Sequence, residues 1–226
     1  MHIEPGLVDG TKIVLSYATS AAAGAVALKT IVNSIGDNGL VSLTLRSLIA
    51  AVGVFVFFEV MPHFPIGVSE VHFILGSTLF LILGAAPSAI GLALGLLVQG
   101  LFFSPTDLPQ FGMNITTLLL PLFALQILAK RIIAPGTAYV DLKYSQALTL
   151  STAYQGGVVA WVAFWAIYGA GFGVQNLAAV GTFGAAYMSV VLIEPLIDLV
   201  VLAAAKAANK ALDGSPFVTQ RLFQAA

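Results

Sequence analysis

The residues with the greatest capacity for chemistry are three histidines and the opening dipeptide, Met1-His2. A free α-amine, the amide nitrogen of His2 and its Nδ1 can chelate one metal ion in fused rings once the amide loses its proton, which Ni(II) and Cu(II) promote. These three nitrogens lie in one plane, and a square-planar ion requires a fourth. An imidazole from elsewhere would complete the set, and His63 and His72 are the candidates.

We expect His72 to be the fourth ligand. It lies in VSEVHFILG, just inside a predicted helix, whereas His63 lies in the loop MPHFPIG between two prolines. A helix holds an imidazole more rigidly than a loop does, so His63 is the less favoured ligand. Initiator methionine is usually retained before a large residue, so Met1 is expected to supply the amine. The alternative is that each histidine is an ordinary amphipathic residue of the membrane interface.

A membrane-embedded helical bundle must position these residues. Of 226 residues, 59% are hydrophobic and 8% are charged, whereas soluble domains contain about 25% charged residues. The mean hydropathy is +0.99. The apolar segments are continuous rather than alternating, which favours helices over a transmembrane barrel. We predict one all-α transmembrane domain over 1–226, with a metal-chelating segment at 1–10 and a polar cytoplasmic tail at 213–226.

About seven membrane-spanning helices are predicted, because a helix needs about 20 apolar residues to cross the hydrocarbon layer. Clusters of glycine, proline and asparagine separate the apolar segments. The third and fourth spans are short and closely joined, so we expect them to form a helical hairpin. The predicted spans are 11–33, 40–61, 69–85, 87–104, 113–133, 145–171 and 175–208.

The distribution of basic residues orients this bundle. With seven spans, Lys12 alone among the nine lysines and arginines falls on the side opposite the C-terminus. The positive-inside rule therefore predicts a cytoplasmic C-terminus and an N-terminus outside. All three histidines and most acidic residues then lie on the outer face, which gathers the polar chemistry there.

Two further features lie inside predicted spans. Glu194 and Asp198 are one helical turn apart on one face of the last span, and Pro195 between them predicts a kink. The carboxylates could form a proton relay, although a polar contact inside the bundle or with a partner is favoured. Gly91 and Gly95 form a GxxxG pattern that permits close packing of helices.

Several function classes are excluded or disfavoured by composition. The chain has no cysteine, which excludes disulfides, Cys-based zinc sites and thiol catalysis. It has no GxxxxGK[ST] loop, so nucleotide hydrolysis requires a partner. A net charge of −1 disfavours nucleic-acid binding, for which a basic surface is typical. The competing interpretations are a membrane-embedded metal-dependent enzyme, disfavoured because HExxH is absent, and a non-metal transporter or structural membrane subunit.

The opening MHIEPG resembles the Met-His-Ile-Pro-Asp-Gly start of the CbiM/NikM family, the cobalt/nickel-specific membrane components of energy-coupling factor transporters. The stretch from Phe64 to Asn114 is similar to that family's central motifs, and LIEPLID with Glu194 is a looser match to its last span. Altogether the resemblance covers 1–16, 64–117 and 188–202. The central motif positions are 64–66, 67–73, 83–87, 99–103 and 108–114.

This resemblance implies a non-enzymatic, substrate-capturing subunit that binds one Ni²⁺ or Co²⁺ ion from outside with Met1, His2 and His72. Glu70 and Asn114 could support these ligands through hydrogen bonds, although an ordinary helix cap or interface contact is the favoured role of both, and no further cofactor is expected. The implied partners are a transmembrane coupling subunit, cytoplasmic ATP-binding subunits, a small accessory membrane subunit and membrane lipid. The implied location is the plasma membrane of a prokaryote.

Overall fold

Helices dominate the computed structural model, which describes residues 3–224. Two short strands form the only sheet in this described range. In chain order the helices are α1 (Val14–Phe55), α2 (Gly76–Leu83), α3 (Ala85–Phe102), α4 (Phe111–Ile132), α5 (Tyr144–Ala170), α6 (Val174–Met188), α7 (Glu194–Ala207) and α8 (Asn209–Leu212). The strands are β1 (Phe64–Ile66) and β2 (Ser69–Val71).

Five helical stretches within residues 3–224 are long and apolar enough to cross a membrane, which confirms the predicted all-α membrane bundle. The first, Gly10–Val60, is bent at Gly39, whose φ of 78° suits glycine. This bend separates the first two predicted spans. The last, Val174–Ala207, is interrupted before Pro195, as the kink prediction expects. The others are Ala85–Phe102, Pro105–Ile132 and Tyr144–Ala170.

The prediction of a spanning helix over 69–85 is wrong. β1 and β2 pair as an antiparallel hairpin, and the helix that follows, α2, has 8 residues. Pro65 and Gly67 favour a turn over a helix, and α2, which ends before Gly84 with φ of 90°, is far shorter than the roughly 20 residues that a span requires. His72 therefore follows a strand instead of lying just inside a helix.

Close packing at Gly91 and Gly95, predicted from the GxxxG pattern, joins α3 to α1. An added Cβ at Gly91 would lie 2.2 Å from the Cβ of Ala50, and one at Gly95 would lie 2.5 Å from Cγ1 of Val54. Ala50 and Val54 are both completely buried. The two helices can approach this closely because the glycines have no side chains.

We expect Gly91→Ala to lower the unfolding midpoint of the detergent-solubilised protein, because the new methyl group would overlap Ala50. Overpacking of this kind costs about 1–3 kcal/mol. Gly156→Ala is the matched control, since Gly156 lies in α5 with no heavy atom within 4 Å of an added Cβ. Thermal unfolding followed by circular dichroism measures both variants. Equal midpoints for the two would contradict the described packing.

Apolar side chains also cover the outside of the bundle. Phe102, Phe172 and Val174 are 74%, 77% and 84% exposed. In water a large apolar surface promotes association, whereas lipid tails are as apolar as these side chains. This placement of apolar side chains on the outside of the helical bundle is typical of a multi-pass membrane protein.

Candidate metal centre

The hairpin of β1 and β2 positions His72 by packing against α6. Gly67 lies at its turn with φ of 66°, and an added Cβ there would lie 2.1 Å from the carbonyl oxygen of Ala179. Glycine is therefore required both by the backbone conformation and by the contact with α6. The next residue, Val68, is buried. These contacts fix the hairpin on α6, and β2 ends one residue before His72.

The His72 imidazole is oriented by Glu70. Its Nε2 lies 2.9 Å from Oε2 of Glu70, and the side chains are 0% and 29% exposed. A neutral imidazole carries one N–H, so donation from Nε2 to the carboxylate leaves the lone pair on Nδ1. A carboxylate in this position is a common device for orienting a metal-binding histidine. Nδ1 is therefore the nitrogen of His72 that is suited to bind an ion.

His63 stacks on His72. The ring centroids are 4.9 Å apart and the ring planes differ by 16°. Phe58 packs at a tilt against the same imidazole, with its centroid 5.4 Å away. A ring nitrogen directs its lone pair within the ring plane, and two nearly parallel planes do not direct lone pairs to one ion. In this geometry His63 packs against His72 and does not share an ion with it.

The N-terminal segment lies between β2 and α4. Ile3 pairs with Ser69 in an isolated antiparallel bridge, and its N–H donates to Oδ1 of Asn114 at 3.0 Å. The N–H of Glu4 donates to the carbonyl oxygen of Val68 at 3.3 Å. Ile3 and Asn114 are buried. The structure therefore brings Asn114 to Ile3, and Ile3 is paired with Ser69, which precedes His72 by three positions in the chain.

An apolar cluster anchors the same segment to the bundle. Ile3 and Val8 pack with Met113 of α4 and Trp165 of α5. Gly169 lies so close to the segment that an added Cβ would be 2.0 Å from the carbonyl oxygen of Leu7. Sequence reasoning missed these anchors because they depend on contacts between distant parts of the chain.

The predicted ligands Met1 and His2 lie outside the described residues. Within residues 3–224, no three histidine, aspartate or glutamate side chains are grouped to hold a metal ion. The described part of the candidate centre consists of His72 with Glu70, the stacked His63, and Asn114 holding Ile3. The full set of nitrogen ligands therefore stays a prediction.

Glu194 and Asp198 form a separate polar cluster inside the bundle. Both are completely buried, and Gln155 donates to both carboxylate oxygens of Glu194 at 2.8 and 2.7 Å. These bonds tie α7 to α5, and the bonds of Asp198 tie α7 to α2. A polar contact inside the bundle, favoured from the sequence, is thus present. The further donors are the hydroxyls of Ser151 to Glu194 and of Ser77 and Thr78 to Asp198.

Comparison with known families gives a match over nearly the whole chain. The model of the CbiM family, described as the cobalt uptake substrate-specific transmembrane region, matches residues 2–212. No curated protein and no solved structure gives a significant match. The matched range includes every described residue of the candidate centre.

Proposed function

Because the chain belongs to the CbiM family of cobalt-uptake transmembrane proteins, we propose that it captures Ni²⁺ or Co²⁺ for an energy-coupling factor transporter. The family is one of transport components, which favours transport over the membrane enzyme considered above. Import would be driven by a transmembrane coupling subunit and cytoplasmic ATP-binding subunits, with a small accessory membrane subunit as a further partner. The proposed location is a prokaryotic plasma membrane, with the site on its outer face.

The proposed ligands of the transported ion are four nitrogens. They are the α-amine of Met1, the amide nitrogen and Nδ1 of His2, and Nδ1 of His72. The pairing of Ile3 with Ser69 carries this proposal, because it brings the N-terminal segment alongside the strand that ends next to His72. Four nitrogens in one plane suit Ni²⁺ best, and Co²⁺ is the competing substrate.

A three-residue extension tests the proposed chelate. Adding three alanines before Met1 converts its amine into an amide and moves the free amine away from the chelate ring. Three are used because a single added residue would make the histidine third in the chain, where the amine, two amide nitrogens and Nδ1 chelate Ni²⁺ by themselves. We expect nickel binding by the purified protein to fall below detection in calorimetry. Mass spectrometry of the intact protein first establishes that the unextended form begins at Met1. The matched control carries three alanines after Ala226 and should bind like the unextended protein.

The pH dependence provides a second readout of the same experiment. Ligand nitrogens must lose their protons before they bind, so affinity should rise with pH and binding should release protons into the buffer. Calorimetry in buffers of different ionisation enthalpy counts these protons. An extended protein that retains the affinity of the unextended one would rule out the N-terminal chelate, although it would leave the transport role intact.

A further inference from the structure

A basic cavity of about 470 Å³ lies at the other end of the bundle. Helix α4 runs from Asn114 in the candidate metal centre to Lys130, which lines this cavity. Four basic side chains and one acidic side chain contribute to the lining. These residues are Lys29, Arg46, Lys130, Arg221 and Asp37.

Arg46 supplies a buried charge to the cavity. This residue belongs to α1 and is 1% exposed. Nη1 donates to the carbonyl oxygen of Leu83 at 2.7 Å, and Nε donates to that of Ser42 at 3.3 Å. Nη2 is buried and has no hydrogen-bond partner within residues 3–224. Because an unpaired buried charge is costly, this nitrogen points to an anionic ligand.

The N-terminus of α3 faces the same cavity. Gly84, with φ of 90°, precedes this 18-residue helix, and Gly84, Ala85 and Ala86 line the cavity. An added Cβ at Gly84 would lie 3.4 Å from Nη1 of Arg46. The first N–H groups of a helix have no acceptor within it and favour an anion. Two independent features, the helix terminus and the guanidinium of Arg46, thus converge on one place.

Arg221 adds a third donor group. Its guanidinium carbon lies 5.3 Å from the ring centroid of Tyr139, and its Nε is buried without a partner in the described part of the chain. Burial raises the pKa of Tyr139, while the charge of Arg221 acts in the opposite direction. The phenol therefore stays protonated near neutral pH and can donate a hydrogen bond within the cavity.

The surroundings of the cavity indicate what kind of anion enters it. Val26 of α1 and Ile127 of α4 also line it, and they are 45% and 59% exposed on the apolar outside of the bundle. The cavity therefore adjoins a surface suited to lipid chains. Basic pockets between membrane helices are suited to anionic lipid headgroups. We propose that this cavity binds the phosphate of an anionic phospholipid, with its acyl chains against α1 and α4.

Lipid binding to the delipidated full-length protein in detergent tests this proposal. We expect phosphatidylglycerol to raise the unfolding midpoint, whereas phosphatidylcholine with the same acyl chains should not. Lys130→Gln should weaken phosphatidylglycerol binding about fivefold, which corresponds to one basic residue near a membrane surface. Arg131→Gln is the matched control, because Arg131 is the exposed neighbour of Lys130 and does not line the cavity.

Two further measurements separate this site from its alternatives. Lys29→Gln should weaken phosphatidylglycerol binding as Lys130→Gln does, and both variants should keep wild-type nickel affinity, which shows that they are folded. Equal weakening by Arg131→Gln would overturn the proposal, because it would indicate non-specific surface charge. Stabilisation by inorganic phosphate at matched ionic strength, with displacement of phosphatidylglycerol, would overturn the assignment of a lipid and indicate a soluble phosphate compound.

Discussion

Replacing His72 with alanine should weaken nickel binding by more than about 100-fold. The proposed centre has four nitrogen ligands and His72 supplies the one that does not come from the N-terminus. Loss of a residue that only orients a ligand typically costs about 10–100-fold in metal affinity, so loss of the ligand itself should cost more. Calorimetry and metal quantification on the purified protein measure this effect.

Variants of Glu70 and His63 test whether the loss of nickel affinity is specific to His72. Glu70→Gln keeps the size of the side chain that contacts Nε2 of His72 but removes its charge, so we expect an intermediate loss of about 10–100-fold. His63→Ala removes a ring that stacks on His72 without sharing an ion, and affinity should stay close to wild type. If His63→Ala abolished binding while His72→Ala did not, the ligand assignment would be reversed.

Replacing Glu194 with alanine should destabilise the whole bundle. The carboxylate accepts hydrogen bonds from Gln155 and Ser151, and the site is completely buried. Each buried donor left without a partner costs about 1–3 kcal/mol, and the lost side-chain volume adds to this. The unfolding midpoint of the detergent-solubilised protein should therefore fall well below that of wild type.

Glu194→Gln is the matched control for this substitution and also tests a proton relay. A glutamine at this position keeps one acceptor oxygen for Gln155 and can donate to Ser151, whose hydroxyl can reverse its role, but its amide nitrogen replaces the second oxygen that Gln155 contacts. The unfolding midpoint should therefore fall much less than with alanine, and metal uptake by cells that express the complete transporter should be retained. Normal stability combined with lost uptake would instead support the relay, because an amide does not exchange a proton as a carboxyl group does.

The long helices could be predicted from the sequence because they consist mainly of apolar runs, with clusters of glycine, proline or asparagine between most of them. Close packing at Gly91 and Gly95 was also predictable, since a GxxxG pattern permits close approach of helices, but the pattern does not identify α1 as the partner. The β-hairpin was missed because its strands have only three residues each. Such short strands give too little alternation for a period of two to be recognised against an apolar background.

The surroundings of individual charges were the least predictable feature. From the sequence, Arg46 was only one of the basic residues that orient the bundle in the membrane. In the structure its side chain is buried and donates a hydrogen bond to the carbonyl oxygen of Leu83. Its partner lies 37 positions away in the chain, and no local pattern connects the two. By contrast, Glu70 and His72 are two positions apart, so their closeness in the chain already made Glu70 a candidate partner, although two such residues share a side in a strand and not in the helix that was predicted here.

The anchoring of the N-terminal segment has a consequence for the thermodynamics of ion capture. Ile3 and Val8 are held by the protein's own side chains and hydrogen bonds, so folding orders residues 3–8. Fixing a backbone costs about 1–2 kcal/mol per residue in conformational entropy. Since this entropy is lost when the bundle folds, it does not oppose ion binding, and the affinity of the chelate is correspondingly preserved.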